Sequence, residues 1–559
     1  MNQAYLHWLN HPKIDQKTRQ ELNEITDINE IEDRFYQYLP FGTGGIRGLL
    51  GAGTNRLNQY TIRRISDGVA RYFLDKKKDH HKDAIVIAYD CRHHSRDFAL
   101  ESAMVFAHYG IPVYLFAELR PTPLLSFTVR YLRALGGIVI TASHNAAPYN
   151  GYKVYGADGA QLLPEETQQI SRKIDEVKDE IDLSVYPLQE VHAQGQLHWL
   201  GKEIDEQYLS YLCRENFDLQ KNSPIRVVFT PLHGTGTTLI PSSLKRLGFH
   251  NLYLVPEQSF PDPNFSTVGT PNPEKVESLN MAKKLAQEVG ADVVIGSDPD
   301  ADRVGVMIRC NQEIHSLTGN QIGVLLLYYR LYLAKIQGTL PDDGIALKTI
   351  VTSDMGEKIA SHYGVKMMNV LTGFKYIAAK IEEIEQDNMG TFMMAYEESC
   401  GYLMGNWVRD KDAIQASAWI CNMAAHFHSI GLTLKQVLHQ LFERFGFYHE
   451  TQYLLHYPGK EGKRQMMQFM AYLRNHPPIN LGDKKVIRME DYQSGFNSLP
   501  PSNVLKIHLE DQSWVAIRPS GTEPKLKFYL SVVDDSHELV EKKMIEIKKG
   551  IKDIVCITN

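Results

Sequence analysis

Short apolar runs alternate with longer amphipathic stretches through most of the chain. In the first series, apolar runs occupy 84–90, 111–116 and 136–141, and a helical pattern occupies 97–110. Apolar runs of this length, separated by helical patterns, predict parallel strands whose faces are covered by helices. The first part of the chain is therefore expected to form an α/β domain.

The same rhythm returns twice along the chain. The later apolar runs lie at 224–234, 251–256, 291–300, 344–354, 366–373 and 390–399. Three series of similar spacing predict three similar α/β domains with mixed or parallel sheets. The last ~100 residues differ, because strand and turn signals follow one another and a helix at 535–550 closes the chain. This pattern predicts a smaller C-terminal α+β domain.

A chain of 559 residues exceeds what a single hydrophobic core normally supports. A polar helical stretch at 164–182 indicates a boundary near 205, and the turn-rich segment HYPGKEGKR indicates one near 452. A third boundary is placed near 322, where no Pro- or Ser-rich linker occurs. The predicted domains are 1–205, 206–322, 323–452 and 453–559.

Composition and charge exclude several functional classes. The formal net charge of −6 argues against nucleic acid or an anionic membrane as the main partner. The N-terminal residues lack an apolar signal region, and no run of 18 apolar residues occurs. The six cysteines are scattered and form neither a zinc pattern nor a disulfide framework. We expect a cytoplasmic protein with small-molecule ligands.

The segment 141–145 reads Thr-Ala-Ser-His-Asn and directly follows a buried strand. Open α/β sheets place ligands at the carboxyl ends of their strands, so Ser143 lies where chemistry is expected. A serine hydroxyl needs an activating neighbour, and His144 and Lys153 are candidates. Taken alone, the segment favours a serine that caps a helix.

A second candidate site contains three aspartates at alternate positions after another strand. Asp298, Asp300 and Asp302 would converge on a hard divalent cation, and Arg303 adds a cation beside them. The segment does not fit an EF-hand, which needs a glycine at the position of Arg303. Three carboxylates leave coordination positions open, which suits Mg²⁺ shared with a phosphate. The competing interpretation is a solvated acidic turn.

Two further loops carry polar groups suited to a sugar phosphate. At 518–525, Arg518 offers a bidentate fork, Ser520 and Thr522 offer hydroxyls, and Gly521 allows close backbone approach to an oxyanion. A plain hairpin turn would also account for this segment. Glu397 and a hydroxyl two residues later could bind sugar hydroxyls, although a capping turn fits equally well.

The glycine-rich segment 41–48 contains Arg47 but fits neither a Walker A loop nor a Rossmann fingerprint. Its backbone amides could bind phosphate. Its spacing alone favours a flexible turn.

Together these segments resemble the α-D-phosphohexomutase superfamily, whose members carry a TASHN loop, a DxDxDR loop, an EES-type loop and an RxSGTEP loop in this order. The form of the EES loop and FGTGGIRG look most like the branch that includes phosphoglucomutases and phosphopentomutases. One departure is Ala146, where the family usually has proline. The resemblance implies three related α/β domains and a fourth of different fold around a deep central cleft.

The resemblance also implies roles for individual residues. Ser143 would be phosphorylated and, with the three aspartates, would bind Mg²⁺. His144 and Lys153 would transfer a proton or stabilise charge, and Arg47 and Arg303 would steady the phosphoryl group. The substrate contacts implied by the same resemblance are Thr372, Gly373, Lys375, Glu397, Ser399, Lys411, Arg518, Ser520, Gly521 and Thr522.

The reaction implied is the interconversion of glucose 1-phosphate and glucose 6-phosphate, with glucose 1,6-bisphosphate as intermediate and activator. A pentose or mannose phosphate could replace glucose, because hydroxyl anchors such as Glu397 and Ser399 do not by themselves inspect the C2 substituent. The same motifs would also suit a sugar-phosphate-binding regulator without turnover, or a metal-dependent phosphatase. The resemblance leaves open whether the protein is a monomer or a homodimer.

Overall fold

The computed structural model describes residues 2–42, 44–76, 82–215, 217, 223–457, 459–520 and 525–558. The chain forms two compact units. The first unit comprises residues 1–318, 378–388 and 400–429, and the second comprises 319–377, 389–399 and 430–559.

The first sheet and its helices come from the N-terminal part of the first unit. In chain order the elements are α1 (Gln3–Asn10), α2 (Gln16–Glu24), α3 (Ile28–Phe35), β1 (Gly45–Leu49), α4 (Gln59–Lys76), β2 (Lys82–Tyr89), α5 (Ser95–His108), β3 (Val113–Phe116), α6 (Thr122–Leu132), β4 (Ala134–Ile140), β5 (Tyr149–Tyr155), α7 (Pro164–Asp175), α8 (Leu188–Ala193), β6 (Leu197–Leu200) and α9 (Lys202–Leu212). The strand order is β1-β5-β4-β2-β3-β6.

Strands β4, β2, β3 and β6 of this sheet are parallel, whereas β5 and β1 run antiparallel to their neighbours. All of β4 is buried, as expected for a strand covered on both faces. Because β5 returns alongside β4, Lys153 lies opposite Val139, near the end of the strand that leads to Ser143. The register also places Arg47 of β1 opposite Gly151.

The second sheet of the first unit carries the aspartate segment. Its elements are β7 (Val227–Thr230), α10 (Gly236–Arg246), β8 (Leu252–Leu254), the 3₁₀ turns Pro256–Gln258 and Val276–Leu279, α11 (Asn280–Val289), β9 (Val293–Ser297), β10 (Val304–Cys310) and β11 (Glu313–Ser316). Strands β8, β7 and β9 are parallel, and β10 returns antiparallel with Val304 opposite Ser297. Residues 298–303 are therefore the connection of a tight β9–β10 hairpin.

The next elements are α12 (Gly319–Ile336), β12 (Gly344–Thr349), α13 (Met355–His362), β13 (Lys366–Val370), α14 (Phe374–Gln386), β14 (Thr391–Glu397), β15 (Gly401–Leu403), α15 (Ala413–Ser429) and α16 (Leu434–Phe445). In the second unit, β13, β12 and β14 form parallel pairs in that order. The three apolar runs of the third series are thus the three parallel strands that the pattern predicted.

The last elements are β16 (Phe447–His456), α17 (Gly459–Asn475), β17 (Asn480–Leu481), β18 (Lys484–Asp491), β19 (Leu505–Leu509), β20 (Trp514–Pro519), β21 (Lys525–Asp534) and α18 (His537–Thr558). Their sheet is antiparallel, with the order β16-β21-β20-β19-β18-β17. The sequence reasoning predicted β19, β20 and β21 and a closing helix, but it missed β16, β17, β18 and α17. Helix α18 runs to Thr558 instead of ending near 550.

Two other features differ from the sequence expectations. The glycine-rich segment 41–48 is not simply a flexible turn, because Gly45–Leu49 is strand β1 paired with β5. Helices α1 to α3 precede it, and Trp8 packs edge-on against Phe35 and Tyr60. No helix among the described residues is both long and apolar enough to cross a membrane.

Candidate active site

Ser143 lies in the loop that follows β4 and is almost completely buried, with 1% of its surface exposed. Its backbone has a φ of 51°, which is unusual for a residue other than glycine. Its N–H donates to Thr141 Oγ1 at 2.8 Å, and its Oγ donates to Asp298 Oδ2 at 2.7 Å. The hydroxyl thus points at the aspartate hairpin, as its proposed chemistry requires.

The backbone of this loop is held by Arg92. Its guanidinium donates to the carbonyl oxygens of Ser143 at 2.6 Å, Ala146 at 3.0 Å and Tyr149 at 2.9 Å, and also to that of Asn145. Arg92 is itself buried beside the Asp90 carboxylate, with 3.3 Å between Nε and Oδ2. Sequence reasoning missed this arginine. The available signal was a charged Asp-x-Arg segment directly after a buried strand.

The β9–β10 hairpin fixes the three aspartates. Asp298 Oδ1 accepts the backbone N–H groups of Asp302 at 3.1 Å and Arg303 at 3.0 Å. Asp300 Oδ2 accepts a hydrogen bond from Thr122 Oγ1 at 2.8 Å, a second contact that sequence reasoning missed. Ala301 has a φ of 49°, so the hairpin turns sharply between the second and third carboxylates.

The loop 231–235 packs against the β9–β10 hairpin and supports it. Thr235 donates from its N–H and from Oγ1 to the carbonyl oxygen of Pro299, at 2.8 and 2.9 Å. A Cβ atom on Gly234 would lie 2.4 Å from Pro299 Cα. The absence of a side chain at Gly234 therefore permits the contact that positions the aspartates.

The aspartate group fits a divalent cation. One carboxylate oxygen of each of Asp298, Asp300 and Asp302 lies within 4.8 Å of the others, and all three residues are buried. Asp300 Oδ1 and Asp302 Oδ1 are buried and have no hydrogen-bond partner among the described residues. Burial and the two neighbouring carboxylates raise the pKa of Asp298 well above its usual value. Such a set of hard oxygens would be neutralised by a bound cation.

Two buried lysines adjoin the aspartates. Lys153 Nζ lies 2.7 Å from Asp300 Oδ2 and 3.4 Å from Asp302 Oδ2, and Lys411 Nζ lies 3.2 Å from Asp302 Oδ2. Burial alone would lower the pKa of Lys153, but the two carboxylates raise it above its ordinary value. Lys411 also contacts Asp410 Oδ1 at 3.0 Å.

His144 and two arginines complete the set in the first unit. His144 Nδ1 lies 3.2 Å from Ser143 Oγ. Burial is the largest cause that lowers the pKa of His144, and the charges of the nearby Arg303 and Arg47 lower it further. The pKa is well below its usual value, so the imidazole is neutral at pH 7. Arg47 Nη1 donates to Asn145 Oδ1 at 3.2 Å, and Arg303 pairs with Glu274.

The second unit contains the other predicted contacts. Ser399 Oγ donates to Glu397 Oε1 at 2.8 Å, and the Glu397 side chain is buried. Thr372 Oγ1 is a buried hydroxyl oxygen with no hydrogen-bond partner among the described residues. Gly373 has a φ of 118°, a conformation that a side chain would strain.

Two cationic side chains of the same unit, Lys375 and Arg518, influence each other electrostatically. Burial and then the Arg518 charge lower the pKa of Lys375 to about 8. Two adjacent cations repel each other, so an anion bound between them would be stabilised. Nearby, Ser520 N–H donates to the carbonyl oxygen of Lys525 at 2.8 Å. The predicted contacts Gly521 and Thr522 lie outside the described residues.

Each of the two units thus contains part of the predicted set of site residues. The first unit holds Ser143, His144, Arg47, Lys153, Asp298, Asp300, Asp302, Arg303 and Lys411. The second unit holds Thr372, Gly373, Lys375, Glu397, Ser399, Arg518 and Ser520.

Four family models match the chain in succession. They are described as phosphoglucomutase/phosphomannomutase α/β/α domains I, II and III and C-terminal domain, and they match residues 39–180, 206–311, 318–445 and 476–546. The predicted fold class of three similar α/β domains and a different C-terminal domain is confirmed.

Relatives named phosphoglucomutase match nearly the whole chain. A phosphoglucomutase of Staphylococcus haemolyticus is 39% identical over 91% of this chain and 93% of its own length. One from Staphylococcus aureus strain MSSA476 is 38% identical over 92% and 94%.

Solved structures share the fold at lower identity. The phosphoprotein pp63/parafusin, a phosphoglucomutase from Paramecium, aligns with a TM-score of 0.72 and 19% identity over 92% of this chain and 95% of its own. A putative phosphomannomutase from Thermus thermophilus aligns with a TM-score of 0.69 and 21% identity, over 92% and 99%.

Proposed function

Since the chain belongs to the phosphoglucomutase/phosphomannomutase family, we propose that it interconverts glucose 1-phosphate and glucose 6-phosphate by phosphoryl transfer through Ser143. The observation that carries this proposal is the 2.7 Å contact between Ser143 Oγ and Asp298 Oδ2. It joins a buried hydroxyl to a group of carboxylates with a cation-binding arrangement. The phosphoglucomutase relatives, which match over nine-tenths of the chain, favour glucose over mannose or a pentose.

In the proposed reaction, phosphorylated Ser143 transfers its phosphoryl group to the free 6-hydroxyl of glucose 1-phosphate. The Ser143 Oγ–P bond breaks and a new P–O bond forms at the sugar. The 6-hydroxyl proton passes to a protein base, and the released Ser143 Oγ takes up a proton. The product, glucose 1,6-bisphosphate, reorients and returns its 1-phosphoryl group to Ser143. Glucose 6-phosphate remains, and the phosphoserine is restored. Burial of Ser143 protects the phosphoserine from hydrolysis.

We propose that Asp298, Asp300 and Asp302 hold Mg²⁺ together with an oxygen of the phosphoserine. The buried carboxylate oxygens of Asp300 and Asp302 without hydrogen-bond partners among the described residues support this assignment. When bound, Mg²⁺ supplies charge stabilisation to the transferring phosphoryl group. Arg47 and Arg303 would add cationic charge on the same side.

Two groups are candidates for the protein base. His144 is neutral at pH 7 because its pKa is lowered, and its Nδ1 already lies 3.2 Å from Ser143 Oγ. Lys153 is charged because the carboxylates of Asp300 and Asp302 raise its pKa, so it suits charge stabilisation. It could act as a base only if a bound cation displaced its contacts with these carboxylates. Comparison of pH–rate profiles for His144→Gln and Lys153→Met would separate the two roles.

The second unit would supply the remaining contacts. The cationic side chains of Lys375 and Arg518 would bind the phosphate that is not being transferred. Thr372, Gly373 and Ser520 would contribute to the same phosphate site. Glu397 and Ser399 would bind sugar hydroxyls through the carboxylate and hydroxyl that already hydrogen-bond each other.

Lys411 is proposed as a substrate contact, and the roles of Gly521 and Thr522 stay predictions. The domain boundaries at 205, 322 and 452 also stay predictions. The same holds for the oligomeric state, a monomer or a homodimer. We also propose a cytoplasmic location, because the scattered positions of the cysteines in the sequence favour a reducing compartment.

The proposal is tested by measuring formation of glucose 6-phosphate from glucose 1-phosphate, with Mg²⁺ and a trace of glucose 1,6-bisphosphate. Wild type is compared with Ser143→Ala, and mannose 1-phosphate and ribose 1-phosphate are assayed in parallel. Turnover that requires Ser143 and favours glucose supports the proposal. Wild-type turnover in Ser143→Ala would refute the phosphoserine mechanism, preference for another sugar would change the substrate, and net release of inorganic phosphate would indicate a phosphatase.

A further inference from the structure

A second group of metal-binding side chains lies at the N-terminal helices, away from the aspartates. His7 lies in the last turn of α1 and His11 directly follows the helix as its C-cap, with ring centroids 5.2 Å apart. His7 Nε2 lies 2.7 Å from Asp179 Oδ2. One ligand atom from each of these three residues lies within 4.8 Å of the others. Asp182 Oδ1 lies 3.7 Å from His11 Nε2.

We propose that His7, His11 and Asp179 bind a transition-metal ion of the zinc type, with Asp182 available as a fourth ligand. Two imidazole nitrogens and one or two carboxylates form a donor set that suits Zn²⁺, whereas Mg²⁺ prefers oxygen ligands only. Within the described residues, only this group and the aspartate triplet bring three such ligand atoms together. The two groups therefore differ in the metal they select.

The geometry needs only a small adjustment to accept the ion. With Zn–N and Zn–O bonds of about 2.0–2.2 Å, tetrahedral ligand atoms lie roughly 3.4 Å apart. His7 would move slightly away from Asp179 and His11 would rotate towards it. The His7 side chain is 49% exposed and that of Asp179 is 27% exposed, so both can adjust without disturbing a core. Binding requires neutral imidazoles, so any proton shared by His7 and Asp179 is released.

A metal ion at this site would link two segments that are already in contact. Next to Asp179, the carboxylate of Glu180 accepts hydrogen bonds from Trp8 Nε1 at 3.0 Å and from Tyr38 OH at 2.8 Å. Ile181 belongs to the same small core as Trp8. A metal bound by His7 and Asp179 would thus fasten α1 to the loop after α7. The matched family domain covers residues 39–180, so the metal would join the segment that precedes it to Asp179 near its end.

The test is a titration of the full-length protein with Co²⁺ in an excess of Mg²⁺, which occupies the all-oxygen site. Co²⁺ reports imidazole ligation through its visible absorption, and Zn²⁺ then displaces it. We expect one Co²⁺ bound per chain in wild type. His7→Ala and His11→Ala should each weaken binding by about tenfold or more, and Asp179→Asn should also weaken it.

His439→Ala is the matched control. His439 is also exposed on a helix, with Glu443 Oε1 3.4 Å away at i+4, but it belongs to no three-ligand group among the described residues. It should bind Co²⁺ like wild type. Zn²⁺ should raise the thermal midpoint of wild type and His439→Ala but not of His7→Ala. Thermal unfolding without metal and turnover of glucose 1-phosphate show that the variants are folded.

If wild type binds no Co²⁺ in the presence of excess Mg²⁺, the inference is overturned. Binding that persists unchanged in His7→Ala and His11→Ala would overturn it as well, because the ion would then lie elsewhere. Since the substitutions leave the proposed catalytic residues intact, failure of this inference is distinguishable from failure of the proposed reaction.

Discussion

Arg92 donates a hydrogen bond to the carbonyl oxygen of Ser143 at 2.6 Å, although the two residues are 51 positions apart. The same guanidinium binds three further carbonyl oxygens of the loop. A residue with a φ of 51° keeps that conformation only if its surroundings hold it there. The backbone that carries the Ser143 hydroxyl is therefore held by Arg92, in the loop that follows the neighbouring strand β2.

Arg92→Ala should release the loop that contains Ser143. Loss of the guanidinium removes the partner of the buried Ser143 carbonyl oxygen and of three partly buried ones. A buried carbonyl left unsatisfied costs about 1–3 kcal/mol unless water replaces the lost donor. Displacement of the hydroxyl by about 1 Å can lower kcat by about a hundredfold. Arg92→Lys should recover little, because an ammonium group does not reproduce the fork. The measurements are kcat for glucose 1-phosphate and the midpoint of thermal unfolding.

Arg172→Ala, on the exposed face of α7, is the control and should change neither quantity. Full activity in Arg92→Ala would show that the loop keeps its conformation without this arginine.

Gly234→Ala should displace the aspartate hairpin, because the added Cβ would lie 2.4 Å from Pro299 Cα. Such overpacking costs about 1–3 kcal/mol of the free energy of unfolding. We expect a higher Mg²⁺ concentration for half-maximal activity. The matched control is Gly269→Ala, where an added Cβ meets nothing within 4 Å. Equal Mg²⁺ dependence in the two variants would contradict the proposed support of the hairpin.

Removal of the cation should abolish turnover, and Mg²⁺ should restore it. Mg²⁺ at a hundred times its dissociation constant should stabilise the wild-type fold by about 2.7 kcal/mol. In Asp300→Asn this stabilisation should be lost, because one of three carboxylates has become neutral. The check is thermal unfolding with and without Mg²⁺ after chelation. Mg²⁺-dependent stabilisation that survives in Asp300→Asn would place the cation elsewhere.

Substrate binding should weaken as the pH rises through about 8, where Lys375 loses its proton in the free protein. The phosphate remains dianionic over this range, so the lysine supplies the change. We expect KM for glucose 1-phosphate to rise above pH 8 in wild type. In Lys375→Arg the charge persists and the rise should disappear. A KM that stays constant from pH 7 to about 9 in wild type would contradict a phosphate contact by Lys375.

The same shift affects stability with a definite sign. The pKa of Lys375 is about 8 in the folded protein and 10.5 in the reference state, so the unfolded chain binds more protons between these values. The free energy of unfolding therefore rises from pH 8 to about 10.5 on account of this group. Below pH 8 the charged lysine destabilises the fold by at most about 3 kcal/mol. Lys375→Met should thus raise the thermal midpoint at pH 7 more than at pH 10.

The local patterns of the sequence determined much of the fold. The apolar runs at 84–90, 136–141 and 291–300 are strands in the structure, because buried parallel strands need continuous apolar sequence. Helix α17 was missed because it lies among strand and turn signals. The helix–strand balance in the last 100 residues was therefore only partly predictable.

The sequence by itself also determined which residue types could act: a serine after a buried strand, three alternating aspartates and an Arg-Pro-Ser-Gly segment each have local chemistry. Only the tertiary structure decided their distances. Ser143 and Asp298 are 155 positions apart, and their 2.7 Å contact depends on two sheets whose packing no local pattern specifies. The same holds for Arg92, Gly234 and the group of His7 and Asp179. Such contacts join distant segments, and side-chain packing, which is long-range in sequence, selects them.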